Sequence, residues 1–245
     1  MFEYKINVKS LTNKVILVTG AGDGIGKQAA ITYANLGATV VLLGKTVSKL
    51  EQVYDIIVDN GAAQPAIIPL DFRGATKQNY IDMVDTIVSQ CGKLDGALLN
   101  AGMLGDLAPF THIEEHVFTE VMKVNVEGQF LLAQALIPAL QDAEHGSLVF
   151  TSSGVANQGK AYWGAYCLSK CATVGMMQII ADEYSNTSLR TNAINPGATR
   201  TLMRAKAYPG EDKLTLATPE DIMPLYVYLM SDDSININGQ QLNAQ

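Results

Sequence analysis

The sequence predicts one α/β domain of the doubly wound type, and three observations carry that prediction. Short apolar runs rich in β-branched residues alternate with longer segments of helical period from end to end. A glycine-rich turn follows the first apolar run and leads straight into a helical segment. No internal repeat, low-complexity block or long polar linker interrupts the 245 residues, a length that suits a single large domain over 1–245.

In chain order, strands are expected at 14–19 (KVILVT), 39–43 (TVVLL), 66–70 (AIIPL), 96–100 (GALLN), 147–152 (SLVFTS), 189–195 (LRTNAIN) and 240–243 (QQLN). Most are continuously apolar, as strands covered on both faces must be. Helical segments fall near 24–36, 47–60, 75–91, 112–141, 162–185 and 218–230. Strand followed by helix, repeated, predicts a seven-stranded parallel sheet with right-handed crossovers and helices on both faces. The first ten residues read as a tether across the sheet edge, and the short run after Gly239 suggests a trimmed last strand.

Composition excludes several functions. Seventeen Lys and Arg against 24 Asp and Glu give a net charge of −7, and no basic block is present to neutralise nucleic-acid phosphates. No apolar run approaches the ~20 residues of a membrane span. The opening MFEYKINVKSLTNK lacks the apolar core of a secretory signal, so a cytoplasmic location is expected. Cys91, Cys167 and Cys171 form no C-x-x-C pair, which supports neither a disulfide framework nor a zinc ribbon. Cys167 and Cys171 share a helical face and read as packing residues.

The glycine turn points to a ligand. Thr19-Gly20-Ala21-Gly22-Asp23-Gly24-Ile25-Gly26 joins the first strand to a helix. There glycines permit positive φ and a close backbone approach to a pyrophosphate, whose charge faces the free N–H groups of the helix N-terminus. This is the Rossmann-like arrangement for a dinucleotide. The second strand ends in Leu43-Gly44-Lys45 with no carboxylate for an adenosine 2′-hydroxyl, which favours NADP(H) over NAD(H). Asp23 argues the other way, since a carboxylate near that end repels an added phosphate, and NAD(H) stays open.

A second constellation supplies chemistry. Tyr166 and Lys170 are four apart, so on a helix they share one face. A free phenol ionises near pH 10, too high for acid–base work at neutral pH unless a neighbouring cation stabilises the phenolate. Lys170 is such a cation. Ser153, thirteen residues before Tyr166 at the end of an apolar run, is placed to hydrogen-bond a substrate carbonyl oxygen.

With these residues in view, the chain resembles the short-chain dehydrogenase/reductase family over nearly its whole length. TGAGDGIG is similar to that family's cofactor turn, and Asn100-Ala101-Gly102 to its NAG motif. Asn125 resembles the asparagine of an interrupted helix, and Ser153, Tyr166 and Lys170 the remaining catalytic positions. Pro196, Gly197 and Thr201 resemble the PGxxxT segment over the nicotinamide, and Asp71-Phe72 falls where the family contacts adenine. Four longer stretches, among them INPGATRT and TPEDIMPLYVYLM, resemble the bacterial YciK subgroup of that family. The resemblance implies hydride transfer between a nicotinamide and a small-molecule carbonyl or alcohol. Tyr166 would act as acid or base, Lys170 would lower its pKa and bind the nicotinamide ribose, and Ser153 would orient the substrate oxygen. Asn125 would hold a water linking Lys170 to solvent. No metal is required, and the helix at 117–136 with the Tyr166 helix implies a homodimer or homotetramer.

Other signals are weaker. His112-Ile-Glu-Glu-His116 fits an H-x-x-E-H zinc pattern, but no third ligand stands at a helpful spacing, and surface residues of a helix explain it. Substrate contacts are expected from 103–109, 155–163 and the variable segment 200–217, whose Arg200, Arg204, Lys206 and Lys213 suit either a lid over an acidic substrate or a solvated loop. Trp163 faces either the pocket or the core. Rival functions are a 3-oxoacyl carrier-protein reductase and a non-catalytic NADP-sensing scaffold.

Overall fold

The strands of the sheet, the short C-terminal edge strand apart, feed two cores at once, and that alternation orders the molecule. The computed structural model describes residues 1–245. In β1 (Val15–Thr19), Ile16 and Val18 belong to one buried cluster while Val15 and Leu17 belong to another. The same division holds in β2 (Thr39–Gly44) and in β4 (Gly96–Leu99), where Leu98 faces one core and Ala97 and Leu99 the other. Successive side chains of a strand point to opposite faces, so a strand apolar at every position needs helices on both sides.

Those helices are present. The first core is covered by α1 (Gly24–Asn35), α2 (Val47–Asp59) and α8 (Met223–Met230). The second is covered by α3 (Lys77–Cys91), α5 (Gly128–Gln141) and α6 (Gly164–Glu183). With β3 (Ala66–Pro69), β5 (Ser147–Thr151), β6 (Arg190–Asn195) and β7 (Gln241–Asn243), the strands form one sheet in the order 3-2-1-4-5-6-7, every pair parallel. The expected seven-stranded parallel sheet is therefore observed. Pro69 sits on β3, an edge strand, where a missing N–H costs the ladder least.

Three expectations change. The segment 112–141 is not one helix: α4 (Glu115–Met122) passes through a π turn at Lys123–Glu127 into α5. His112 ends a short 3-10 turn and Ile113 and Glu114 are extended, so His112 and His116 do not share a helical face. The helix expected at 218–230 begins only at Met223, after a turn in which Asp221 Oδ2 accepts from Thr218 N and Oγ1, both at 2.7 Å. The variable segment also holds a short helix that periodicity did not reveal, α7 (Leu202–Ala207).

Both chain ends are anchored at the β7 edge. Phe2 N donates to Ala244 O at 3.0 Å, and the rings of Phe2 and Tyr4 pack on Tyr228 of α8. β7 is short but keeps its register on β6, and the Gln245 amide donates to Pro196 O at 2.7 Å.

Phe150 lies at the centre of the second core, fully buried on β5. Phe150→Ala is expected to lower the unfolding free energy by about 3–5 kcal/mol, read from the denaturant midpoint at unchanged slope; a loss below about 1 kcal/mol would show that this core relaxes around the gap.

Candidate active site

The strand order reverses between β1 and β4, whose crossovers leave in opposite directions and open a crevice at the carboxyl ends of the strands. A cavity of about 460 Å³ fills it, running from the glycine turn to Tyr166 and Lys170. Thr19, the last residue of β1, closes the base: its Oγ1 accepts from the backbone N–H of both Asn100 and Ala101 at 2.9 Å. Asn100 in turn accepts from Thr151 Oγ1 at 3.2 Å.

At one end the wall is backbone. Gly20 adopts φ +65°, and a Cβ there would lie 3.1 Å from Ala101 Cα. A Cβ on Gly22 would come within 2.9 Å of Lys49 Cβ. Gly20, Gly22, Asp23, Gly24 and Ile25 line the cavity in front of the α1 N-terminus, as do Asn100, Ala101 and Gly102 opposite. This bare turn before a helix N-terminus fits a pyrophosphate. Gly26 does not line the cavity. It packs against the Gly20 carbonyl and the Asn100 amide, and any larger residue would push α1 off the turn.

The charges at this end qualify the argument from Asp23. Its Oδ1 accepts from Gly24 N at 2.8 Å, capping α1, and its Oδ2 pairs with Lys49 Nζ at 2.5 Å. Lys49 therefore holds the carboxyl below its usual range and offsets its charge. Arg73 also lines the crevice, paired with Glu120 at 2.6 Å. Lys45 lines it at the exposed tip of β2, where Lys49 and Arg73 already hold the nearby carboxylates. Asp71 and Phe72 line it too, although the Phe72 ring is buried edge-on to Tyr80.

Ser153, Tyr166 and Lys170 meet at the other end. Ser153 is extended at the start of a 3-10 turn following β5, and Tyr166 and Lys170 lie one turn apart on α6. Lys170 is 3% exposed; its Nζ donates to Thr151 O at 2.7 Å and stands 5.6 Å from the centre of the Tyr166 ring. Burial pushes the Tyr166 hydroxyl up to about 12, opposed only by a hydrogen bond with Ser153. Burial pushes the Lys170 ammonium down to about 8.

The order of these two values matters. In the crevice without cofactor, burial raises the phenol and lowers the ammonium, so the ammonium is the first of the two to lose its proton. Above its own pKa, near 8, the ammonium progressively loses the charge that would stabilise a phenolate. At neutral pH the pair is a neutral phenol beside a cation. That is the state needed to give up a proton while the cation supports the phenolate left behind.

Asn125 is fully buried in the π turn and does not line the cavity. Its Nδ2 donates to Met103 O at 2.9 Å and Ser169 Oγ at 3.0 Å, and its Oδ1 accepts from Met103 N at 2.8 Å. Both amide hydrogens are thus engaged in clamping the loop after β4 to α6.

Pro196, Gly197 and Thr201 line the crevice between the two ends, and Thr201 caps α7 through Arg204 N at 3.1 Å. Trp163 lines it as well, edge-on to Tyr166 with ring centres 5.7 Å apart. Thr19, Thr151 and Ser169 were missed in the sequence. Thr151 acts through its backbone carbonyl, which carries no residue-type signal, whereas Ser169 beside Lys170 was within reach of a helical-face argument.

A phosphate-fitting turn joined by one crevice to a phenol, an ammonium and a hydroxyl defines a dinucleotide-dependent α/β oxidoreductase. The family model described as short chain dehydrogenase matches residues 14–212, and the chain belongs to that family. It is 52% identical over 235 residues to YciK of Escherichia coli K12, an uncharacterised oxidoreductase, covering 96% of this chain and 93% of that one. It is 30% identical to a 3-oxoacyl-[acyl-carrier-protein] reductase of Thermotoga maritima, covering 94% and 95%. A short chain dehydrogenase of Escherichia coli CFT073, solved in complex with NADPH, superposes with a TM-score of 0.96 at 50% identity, covering 98% of this chain and all of that one.

The buried Lys170 charge sets a pH signature. Its folded pKa, near 8, lies below the ordinary 10.5, so the folded state loses its proton first and stability rises between those two pH values. Lys170→Met removes this dependence. The stability of the variant relative to the parent should fall by up to about 3 kcal/mol as pH rises from 8 to 10.5, measured by denaturant unfolding at each pH. A pH-independent difference would mean that Lys170 titrates normally.

Proposed function

We propose that this oxidoreductase reduces a small-molecule carbonyl compound to the alcohol with NADPH, in the cytoplasm. The observation that carries the reading is Lys170 Nζ held beside the Tyr166 ring at the end of a dinucleotide-shaped crevice. When bound, NADPH supplies the hydride that adds to the carbonyl carbon.

The chain's own residues do the rest. The Ser153 hydroxyl donates to the substrate oxygen and fixes it beside the phenol. Tyr166 gives its proton to that oxygen as negative charge develops there. The Lys170 ammonium, kept in place by Thr151 O, supports the phenolate and the nicotinamide ribose. Asn125 positions both walls by tying Met103 to Ser169. Asp71 and Phe72 would border the adenine of the bound cofactor, and Pro196, Gly197 and Thr201 its nicotinamide. Cofactor choice rests on Lys45 as the free cation for a 2′-phosphate, on the neutralised Asp23, and on the NADPH complex of the Escherichia coli CFT073 relative. Phe118, Phe130, Leu168 and Ile179 leave exposed apolar surface on α4, α5 and α6, which supports a homodimer or homotetramer through these helices.

Tyr166→Phe should lower kcat for NADPH-linked carbonyl reduction by about 10²–10⁴-fold while NADPH binding, followed by fluorescence, is kept. Retention of full activity overturns the assignment. Lys45→Ala should weaken NADPH about tenfold, the worth of one charge-assisted contact, and leave NADH unchanged. Equal weakening of both would place the phosphate elsewhere.

A further inference from the structure

The substrate end of the crevice differs in chemistry from the nucleotide end. Its wall is formed by Met103, Leu104, Trp163, Leu202, Met203 and Ala207. Leu202 and Met203 are 71% and 36% exposed at the lip, apolar surface that water covers when no substrate does. Apart from Lys170, the one charged side chain lining this end is Arg204.

That charge is already matched. Arg204 forms a fork with Glu211, Nε to Oε2 at 2.6 Å and Nη2 to Oε1 at 2.5 Å, and its guanidinium stacks 3.9 Å from the centre of the Tyr208 ring. The neighbouring cations have hydrogen-bond partners of their own. Lys206 Nζ donates to Gly105 O at 3.1 Å across the crevice mouth, Arg200 Nη2 to Leu216 O at 3.2 Å, and Lys160 Nζ to the Tyr208 hydroxyl at 2.5 Å. Three of the four cations that made a lid over an acidic substrate conceivable, Arg200, Arg204 and Lys206, thus already have partners within the segment or on the loop after β4. A carboxylate or phosphate entering here would give up its water for an arginine already paired with Glu211, which is costly.

In place of a charge the site offers rings. Trp163 and Tyr166 both line the cavity with ring centres 5.7 Å apart and form a short aromatic wall beside the proton donor, while Tyr208, which does not line it, packs on Trp163 at 5.8 Å. A carbonyl group held by Ser153 and Tyr166 has its flanking substituent against that wall.

We propose that the substrate is an uncharged ketone or aldehyde carrying an apolar, ring-sized group, seated against Trp163, with Glu211 excluding anionic substrates by masking Arg204. This rests on the carbonyl-reductase reading above and narrows its substrate class.

The test compares methyl benzoylformate with benzoylformate, which share the keto group and the ring and differ in the charge of the carboxyl. The parent enzyme with NADPH should show kcat/KM at least about tenfold higher for the ester. Glu211→Gln, which frees Arg204, should narrow that preference by about tenfold; intrinsic reactivity cancels in the ratio between the two enzymes. Trp163→Ala should raise KM for the ester more than it lowers kcat. Equal or better use of the acid by the parent overturns the proposal, as does a preference that Glu211→Gln leaves unchanged while NADPH binding is intact. Should Glu211→Gln fail to fold, the parent preference and the Trp163→Ala split still decide. Absence of turnover with either probe and with a panel of neutral ketones, NADPH being bound, overturns instead the carbonyl-reductase reading itself.

Discussion

A single buried hydrogen bond, from Lys170 Nζ to the carbonyl that ends β5, fixes the chemistry of this molecule. An ammonium taken out of water is tolerated only when its protons find acceptors. Thr151 O supplies one and the Tyr166 ring lies close by. Because α6 must place Lys170 at that carbonyl, it also places Tyr166 one turn earlier and sets it opposite Ser153. Thr151 carries the constraint further, since its hydroxyl reaches Asn100 and Asn100 reaches Thr19. The proton-donating end and the nucleotide end are therefore joined across the ends of β5, β4 and β1 by hydrogen bonds rather than by flexible loops.

The two-faced core is what makes such a junction rigid. Strands that are apolar at every position have to be covered on both sides, and the helices that cover them bring their N-termini and catalytic faces to the same edge of the sheet. The π turn at Lys123–Glu127 serves the same end: it turns Asn125 inward, where its amide ties the loop after β4 to α6. Even the glycine that lies outside the cavity, Gly26, contributes by letting α1 close on Gly20.

Much of this was legible in the chain. Continuous β-branched runs announced buried parallel strands, and glycines placed directly between the first strand and a helix announced a phosphate turn. The four-residue spacing of Tyr166 and Lys170 put both on one face, with Ser153 at the end of the neighbouring strand. What the letters concealed was what depends on partners brought from afar. Asp23 read as an obstacle to a phosphate because Lys49, 26 residues on, could not be seen to neutralise it. The cations of 200–217 read as substrate contacts or solvated charge because Glu211, Gly105 O and Leu216 O could not be assigned to them. Apolar periodicity alone did not mark the π turn within 112–141, and only the resemblance of Asn125 to the asparagine of an interrupted helix pointed to it. Likewise the acidity of Tyr166 is set by burial, which residue type alone does not report.

The account's central claim is that at neutral pH the crevice holds an ammonium beside an un-ionised phenol. NMR titration of the free protein carrying 13C at lysine Cε and tyrosine Cζ, with Lys170→Met and Tyr166→Phe spectra for assignment, measures this directly. Lys170 should titrate near pH 8 and Tyr166 only near 12; ionisation of the phenol at or below the pH at which the ammonium loses its proton would contradict the account.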